Sequence, residues 1–576
     1  MAELLIENAT LVDGTGAPPR VASVAVDDGR ITAIVAEGDS LPEATTVIDG
    51  TGMVLTPGFI DPHTHYDAQL LWDPSASPSN LHGVTTIIAG NCGFTLAPLL
   101  PGDGDYVRRM MSKVEGMPLD ALERGVDGKW ASFAEYLDRI EGNLGVNAGF
   151  MVGHCAIRRQ VMGQGAVGGT ADAAQVEAMV GELRAAIEAG GLGFSTTLAR
   201  THSDGDGQPV ASRWADHDEL LALAAEVGRH EGTSLEYASD GCLDGFSDDD
   251  VEFMIGFAKS AGRPLNWNVL TVDSHDPDRY RNQLKAMDRC AGEGARVVAL
   301  TMPIIVGMNM SFLTYCALNL LPDWGQILAL PPVARLACLR DPDVRAFMAE
   351  RAASPDAGVF ARLTGWDGYV IGDTFADPSL RGARVGDLAA ANGTTAFDAL
   401  LDVVIADDLR TVLWPGATDD DAESWAMRAE AWQHPAVLIG GSDAGAHLDR
   451  MCGQPYTTQW LADCLRGRKL ATLEAAVHQL TGRPAELFGL VDRGRVVEGA
   501  WADLVLFDPE TIGAGPVEMR HDLPGENGRL WADAFGVRHV WVGGVEVARD
   551  GEGTGALPGS VLRSGRDTAT SAMALT

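Results

Sequence analysis

Residues 55–67 read LTPGFIDPHTHYD, an apolar run that ends in two histidines, His63 and His65. Successive side chains of a β-strand point to opposite faces, so two histidines separated by one residue point to the same face. Such a pair can supply two nitrogen ligands to a divalent metal ion. Alternatively, His63 and His65 are buried histidines that form hydrogen bonds and bind no metal. The rest of the sequence has to distinguish these two hypotheses.

Apolar, strand-like runs alternate with helical patterns through the middle of the chain. The runs cover residues 58–65, 84–93, 146–154, 191–197, 234–239, 264–270, 296–303 and 436–443. Runs that are apolar on both faces and alternate with helices are typical of parallel strands. Eight such units predict an α/β protein with a (β/α)8 TIM-like barrel, in which functional groups lie at the carboxyl ends of the strands.

The two ends of the chain have a different pattern, in which short alternating strands break at Gly, Asp and Pro. Because neither end is long enough to form a stable sheet alone, residues 1–56 and 485–576 are predicted to form one composite β-sandwich domain. The barrel is assigned to residues 57–484, with a helical insertion at about 307–434 between its last two strands. The Ser/Thr/Ala-rich tail after Gly559 is expected to be loosely held.

Composition narrows the class of protein. The 576 residues carry 43 Lys and Arg against 80 Asp and Glu, a formal net charge of −37, which argues against nucleic-acid and membrane partners. Eight scattered cysteines without a CxxC pair indicate reduced thiols, and neither a signal peptide nor a membrane-spanning run is recognisable. We expect a cytoplasmic protein that acts on a small molecule; a homo-oligomer is expected too, although no residue pattern specifies one.

Polar side chains follow the predicted strands where a barrel would bring them to one rim. Asp443 ends the eighth run, with His447 just beyond it. Asp443 can ligate a metal, accept a proton from water, or cap the next helix. Cys92 ends the second run and is either a thiolate ligand or an ordinary buried thiol.

The third run is followed by His154 and Arg158, which can polarise a substrate carbonyl and clamp a carboxylate. The alternative is a structural histidine and a surface arginine. Further residues fall near the predicted mouth, and of these we assign Tyr237 and Asn268, together with His447, to substrate binding. The full set of mouth candidates comprises Ser195, His202, Tyr237, Asp240, Asn268 and His275.

Four segments together resemble the amidohydrolase superfamily, and within it the D-aminoacylase (N-acyl-D-amino-acid deacylase)-like group. They are GFIDPHTHYD, GVTTIIAGNCGFTLAPL, GGSDAGAH and DRGRVVEGAWADLVLFDP, spread over nearly the whole chain. The resemblance implies a metal ion, expected to be zinc, that activates water for attack on the amide C–N bond of an N-acyl (D-)amino acid or a related small amide. It also implies that Cys92 is a metal ligand and that Asp443 is the general acid/base.

The chain departs from that group at strands five and six, where no histidine ends either run and Tyr237 and Asn268 occupy the expected positions. We therefore predict a single-ion site with His63, His65, Cys92 and Asp443 as ligands. Four protein ligands fill a tetrahedral shell, whereas catalysis needs a position for water. Two alternatives stay open: a hydrolase of the same fold acting on a lactone, a cyclic amide or an imine (deamination), and a catalytically silent barrel that binds a ligand.

Overall fold

Residues 1–314 and 316–574 are described by a computed structural model, which confirms the predicted mixed α/β class. The chain divides into two compact units. One comprises Met1–Val272, Asp276–Ile304 and Ala426–Thr576, and the other comprises Asp273–His275 and Ile305–Trp425. The second unit overlaps the interval that was predicted to be an insertion.

Alternating apolar and polar residues in the first 57 positions form five strands, which include both antiparallel and parallel pairs. They are β1 (Ala2–Leu11), β2 (Arg20–Asp27), β3 (Arg30–Ala36), β4 (Ala44–Asp49) and β5 (Val54–Pro57). Their apolar faces pack into one buried cluster that includes Leu4, Ile6, Val24 and Leu55. A smaller cluster of Ala2, Leu5 and Ala25 buries part of the opposite face.

The next strands are short, apolar and buried on both faces, as parallel strands covered by helices should be. They are β6 (Phe59–Asp61), β7 (Val84–Ala89), β8 (Asn147–Phe150), β9 (Val152–Gly153), β10 (Gly193–Thr197), β11 (Ser234–Ala238), β12 (Leu265–Asn268) and β13 (Val297–Thr301). The helices that alternate with them are α1 (Gly104–Val114), α2 (Leu119–Gly125), α3 (Phe133–Ile140), α4 (His154–Met162), α5 (Ala173–Glu188), α6 (His217–Val227), α7 (Gly241–Asp244), α8 (Asp248–Ala261) and α9 (Pro277–Gly292). Capping boxes at Ser132, Asp172 and Ser247 begin α3, α5 and α8 by satisfying free backbone N–H groups.

The second unit is mainly helical and has its own core. Its strands are β14 (Met310–Ser311), β15 (Val370–Ile371) and β16 (Val412–Trp414), and its helices are α10 (Trp324–Leu328), α11 (Pro332–Arg340), α12 (Pro342–Ala352), α13 (Val385–Asn392) and α14 (Ala396–Ala406). Trp324 lies at the centre of that core, stacked on Trp366 with ring centroids 5.8 Å apart. Helix α15 (Ala422–Ala431) follows these elements.

The last part of the chain returns to the parallel strands and then to the β-rich region. Its helices are α16 (Tyr456–Leu465), α17 (Leu473–Leu480) and α18 (Gly482–Phe488). Its strands are β17 (Val437–Ile439), β18 (Leu504–Phe507), β19 (Gly513–Ala514), β20 (Glu518–Leu523), β21 (Asn527–Trp531), β22 (Ala534–Phe535), β23 (Val537–Val542), β24 (Val545–Arg549), β25 (Glu552–Gly553) and β26 (Val561–Leu562).

Strands from both ends of the chain form one nine-stranded sheet. Its order is β25-β24-β23-β18-β5-β1-β2-β3, and β4 pairs with β1 at the side of this path. β18 pairs antiparallel with β5 and so joins the two end segments through backbone hydrogen bonds. The sandwich form of this composite domain stays a prediction.

The parallel strands pair in an order that leads back to the first of them. β6 pairs with β7 and β7 with β8, and after one residue the chain continues as β9, which pairs with β10. From β10 the pairing runs through β11, β12 and β13 to β17. Just beyond β6 and β17, Thr64 forms a parallel bridge with Ala444. The carboxyl ends of these strands therefore lie together.

The C-terminal tail is held in place, so the expectation of a loose tail is wrong for the residues described there. β26 pairs in parallel with β8. Further along, Thr568 Oγ1 donates to Gly232 O, and Ala569 N donates to Gly489 O. Backbone pairing orders this polar segment, which its composition did not reveal.

Among the described residues, no single helix has both the length and the apolar character needed to cross a membrane, although the bent pair formed by α13 and α14 meets those two criteria jointly.

Candidate metal centre

His63 and His65 lie just beyond β6, and both side chains are buried. The backbone holds them opposite the end of β17, because Asp443 N donates to His63 O at 3.1 Å and His65 N donates to Ala444 O at 2.7 Å. As a result, Asp443 Oδ1 lies 3.5 Å from His63 Nε2 and 3.2 Å from His65 Nε2. The two imidazoles and the carboxylate therefore face one another.

Cys92 joins this group from the GNCG turn after β7. Gly90 begins the turn with φ of 76°, and a Cβ there would lie 2.3 Å from Met151 O, so only glycine fits. The turn brings Cys92 Sγ to 3.7 Å from His63 Nε2. In residues 1–314 and 316–574, His63, His65 and Cys92 form a cluster in which one donor atom from each lies within 4.8 Å of the others.

Three non-glycine residues of this region have left-handed backbone conformations, Cys92 with φ of 53°, Asp443 with 60° and His447 with 51°. Such values are uncommon outside glycine. They persist where the surrounding structure over-determines them, and they concentrate at functional sites. The backbone is therefore strained where these side chains converge.

Glu236, on β11, is a member of the cluster that our sequence analysis missed. Its Oε2 accepts a hydrogen bond from Cys92 N at 2.9 Å, and its Oε1 lies 3.9 Å from Cys92 Sγ. A signal was available, because a charged residue in the middle of the buried strand SLEYA requires a polar partner inside the protein. Glu236 lies in the middle of β11 and not at its tip, where the barrel fold predicts functional residues.

Glu115 is the second residue that was missed. It follows α1 directly, and its Oε2 lies 3.6 Å from His65 Nε2. Its backbone oxygen accepts a hydrogen bond from His447 N. No sequence signal points to it, because it lies at the end of a helix between two strands and reaches the site only through the path of the loop.

The electrostatics of the cluster reflect burial and mutual contacts. Burial raises the pKa of Glu236 to about 8 and that of Glu115 to about 7. Burial also lowers the pKa of His447 to about 4, so this side chain is neutral at pH 7. For Asp443, burial acts to raise the pKa, but hydrogen bonds with His63 and His65 hold it well below its ordinary value. Asp443 is thus an ionised carboxylate.

His154 and Arg158 are not free to bind substrate, which corrects our assignment of both. His154 Nε2 lies 2.7 Å from Glu219 Oε1, and its Nδ1 lies 2.8 Å from Thr196 Oγ1. Arg158 Nη1 donates to the same glutamate at 2.6 Å, and its Nη2 donates to Gly169 O. All three ionisable side chains are buried, and apart from Arg158 Nε the polar atoms of His154 and Arg158 contact Glu219, Thr196 or Gly169.

Tyr237 is also misassigned, because it points away from the cluster. It alternates with Glu236 along β11, and its ring packs against Phe253 and Phe257 of α8 at centroid distances of 5.3 and 6.1 Å. The period of two along a strand places Glu236 on one face and Tyr237 on the other.

Asn268 and His447 are both brought to the cluster. A Cβ at Gly441 would lie 3.0 Å from Asn268 Oδ1 and 3.4 Å from His63 Cβ, so both side chains border this glycine. His447 Nε2 lies 3.7 Å from Asp443 Oδ2. Their predicted role in substrate binding stays a prediction.

The remaining mouth candidates have structural contacts of their own. Ser195 holds the GNCG turn, since its hydroxyl donates to Gly90 O and accepts from Gly93 N. His202 contacts Thr197 Oγ1 at 2.8 Å. Asp240 accepts a hydrogen bond from Arg200 N, and His275 Nδ1 lies 2.9 Å from Asp273 Oδ1.

The cluster is partly open to solvent. The side chains of Asp443 and His447 are 23% and 21% exposed and Cys92 is partly exposed as well, whereas the side chains of His63, His65 and Glu115 are 0%, 1% and 4% exposed. A small molecule arriving from solvent can therefore reach the cluster at Asp443, His447 and Cys92.

The donors fit a divalent metal ion. Metal–nitrogen and metal–oxygen distances of about 2.1 Å and metal–sulfur distances of about 2.3 Å place neighbouring donors of a tetrahedral shell roughly 3.3–3.6 Å apart. The three donor separations along Cys92, His63, Asp443 and His65 are 3.7, 3.5 and 3.2 Å. Imidazole nitrogen, thiolate and carboxylate are also the donors that zinc accepts.

Known proteins resemble the chain over almost all of its length. The sequence profile of the Amidohydrolase family matches residues 46–548. N-acyl-D-aspartate deacylase of Alcaligenes xylosoxydans xylosoxydans is 29% identical, over 98% of this chain and 95% of the relative. D-aminoacylase of the same organism is 28% identical, over 97% of both chains. The solved N-acyl-D-glutamate deacylase from Bordetella bronchiseptica, complexed with zinc and a phosphonate inhibitor that mimics the tetrahedral intermediate, has a TM-score of 0.63 and 25% identity, and covers 98% of this chain and 100% of that one.

Proposed function

Because the chain belongs to the amidohydrolase family, and is therefore a hydrolase of carbon–nitrogen bonds other than peptide bonds, we propose that it deacylates an N-acyl D-amino acid or a closely related small amide. The observation that carries this proposal is the cluster of His63, His65 and Cys92, with the partly exposed Asp443 beside both histidines. The deacylases that the chain resembles over 97–98% of its length support the substrate class.

The proposed scaffold is a closed (β/α)8 barrel. The order of parallel pairing from β6 to β17, together with the bridge between Thr64 and Ala444, supports closure. The proposed cofactor is one divalent ion, zinc, held by the two histidines, Cys92 and Asp443. The zinc in the related N-acyl-D-glutamate deacylase supports that identity.

When bound, such an ion lowers the pKa of water and polarises the acyl carbonyl. Asp443 is the proposed general acid/base. It is an ionised carboxylate on the open side of the cluster, so it can take the proton of the attacking water and deliver it to the leaving nitrogen. His447, next to Asp443 Oδ2, and Asn268, next to His63, are the proposed substrate contacts.

A substrate panel tests the proposed reaction. Protein purified without chelator is incubated with N-acetyl-D-amino acids, their L enantiomers, lactones and cyclic amides, and release of free amine or acid is followed. We expect turnover of N-acetyl-D-amino acids. Turnover of lactones or cyclic amides alone would instead support the second hydrolase hypothesis. No turnover by fully metal-loaded protein would favour the silent barrel.

We expect Cys92→Ser to weaken metal retention, because a neutral hydroxyl replaces a thiolate donor in the cluster. Loss of a partner outside the ligand shell costs about 10–100-fold in metal affinity, and loss of a ligand should cost at least that much. Elemental analysis after dialysis against a chelator measures the effect. Cys290→Ser, which changes a buried thiol on α9, is the control. Unchanged metal content in Cys92→Ser would refute ligation by Cys92.

A further inference from the structure

Glu236 is a buried carboxylate whose hydrogen-bonding contacts include no cation. It lies in the middle of β11 and is fully enclosed. Within the described part of the chain, its hydrogen-bonding contacts are both with Cys92, and no Lys or Arg side chain pairs with it. An ionised carboxylate without a cation is very unfavourable in such a place.

A purely structural role does not account for this side chain. The bond from Cys92 N to Glu236 Oε2 holds the GNCG turn, and the neutral amide of a glutamine would accept the same hydrogen bond. The second oxygen, Oε1, has no backbone donor and instead faces the sulfur atom of Cys92. The carboxylate therefore presents one oxygen to the backbone and one to the donor cluster.

The position of Oε1 suits a shared cation. It lies 3.9 Å from Cys92 Sγ, which in turn lies 3.7 Å from His63 Nε2. One ion at about 2.3 Å from sulfur and about 2.0–2.2 Å from oxygen can contact both atoms at this separation. Cys92 Sγ thus has contacts with both Glu236 Oε1 and His63 Nε2.

We propose that Glu236 is a ligand of the metal centre, on the side where Cys92 and His63 contribute their donors. The proposal rests on the metal-dependent function proposed above. It raises the number of protein donors to five, so a four-coordinate shell can be completed without a permanent bond to Asp443. The exposed aspartate is then free to carry protons.

Metal affinity of Glu236→Gln tests the assignment, because glutamine keeps the size of the side chain and the acceptor for Cys92 N. Zinc affinity of the full chain is measured by competition with a chromophoric chelator. We expect an affinity at least about 10-fold lower than that of the unaltered protein. Cobalt substitution gives a second readout: the thiolate-to-cobalt absorption band should shift in the variant because a ligand next to Cys92 has changed.

Glu226→Gln is the matched control, since Glu226 is also buried but pairs with Arg184 and His230 away from the cluster. Its zinc affinity should equal that of the unaltered protein. If Glu236→Gln does not fold, Glu236→Asp is measured in the same way; it keeps the charge and shortens the reach, so weaker zinc binding supports ligation and unchanged binding contradicts it.

The outcomes separate the two proposals. If the unaltered protein binds zinc and Glu236→Gln binds it equally well with an unchanged cobalt spectrum, Glu236 only holds the turn and this inference is wrong, while the proposed hydrolysis stands. If the unaltered protein binds no metal ion, both proposals fail together.

Discussion

Asp443→Asn is expected to lower kcat by about 10²–10⁴-fold, the usual contribution of a positioned general acid/base. Asparagine has the same shape but cannot accept the proton of water at neutral pH. The contact with His447 and the exposure to solvent both place Asp443 where substrate arrives. KM should change much less than kcat, because the loss concerns proton transfer in the transition state.

Steady-state kinetics on an N-acetyl-D-amino acid, together with elemental analysis of the same sample, measure this effect. Metal content has to be measured because Asp443 also lies beside both histidines. Asp492→Asn is a suitable control, since Asp492 is a half-exposed partner of Arg30 in the β-rich region. An Asp443→Asn protein that retains its metal and keeps kcat within about threefold of the control would rule out the proton-transfer role.

Glu219→Ala is expected to lower the free energy of unfolding by about 3–5 kcal/mol, the loss typical of breaking a buried ion pair by removing one partner. Glu219 Oε1 accepts from Arg158 Nη1 at 2.6 Å and lies 2.7 Å from His154 Nε2. Both partners are completely buried, so neither can regain water when the carboxylate is gone. The charge of Arg158 would be left inside the protein without compensation.

Denaturant unfolding monitored by circular dichroism measures this loss. Glu226→Ala is the comparison, because its partner Arg184 is 45% exposed and can be hydrated after the substitution, so we expect a smaller loss. Retained stability of Glu219→Ala with a raised KM would contradict the structural role and restore His154 and Arg158 as substrate contacts.

Much of the candidate site followed from local order along the chain. Two histidines one residue apart share a face of any strand, and residues at the ends of consecutive parallel strands share a rim. These two rules suffice to group His63 and His65 with Cys92 and Asp443, and the structure places these four side chains together. The α/β class followed in the same way from buried runs that alternate with helices.

The prediction failed for a side chain that was chosen because it lies near the end of its strand. The face of the strand to which a side chain points decides whether it reaches the site. Tyr237 is nearer the tip of β11 than Glu236, yet the alternation of side chains turns Glu236 into the cluster and Tyr237 onto α8. Applying the period of two consistently would have found Glu236. No such rule exists for Glu115, whose place depends on the path of a long loop.

The sequence by itself determined the α/β class, the polar residues that follow β6, β7 and β17, and the net negative charge, because each depends on spacing along the chain or on composition alone. Only the tertiary structure decided which buried polar groups satisfy one another. Along the chain, Glu219 is 65 residues from His154 and 61 residues from Arg158, so nothing local to any of the three predicts that they pair. The physical reason is that a buried charge is stabilised by whichever partner the folded chain brings within reach, and that partner is set by packing.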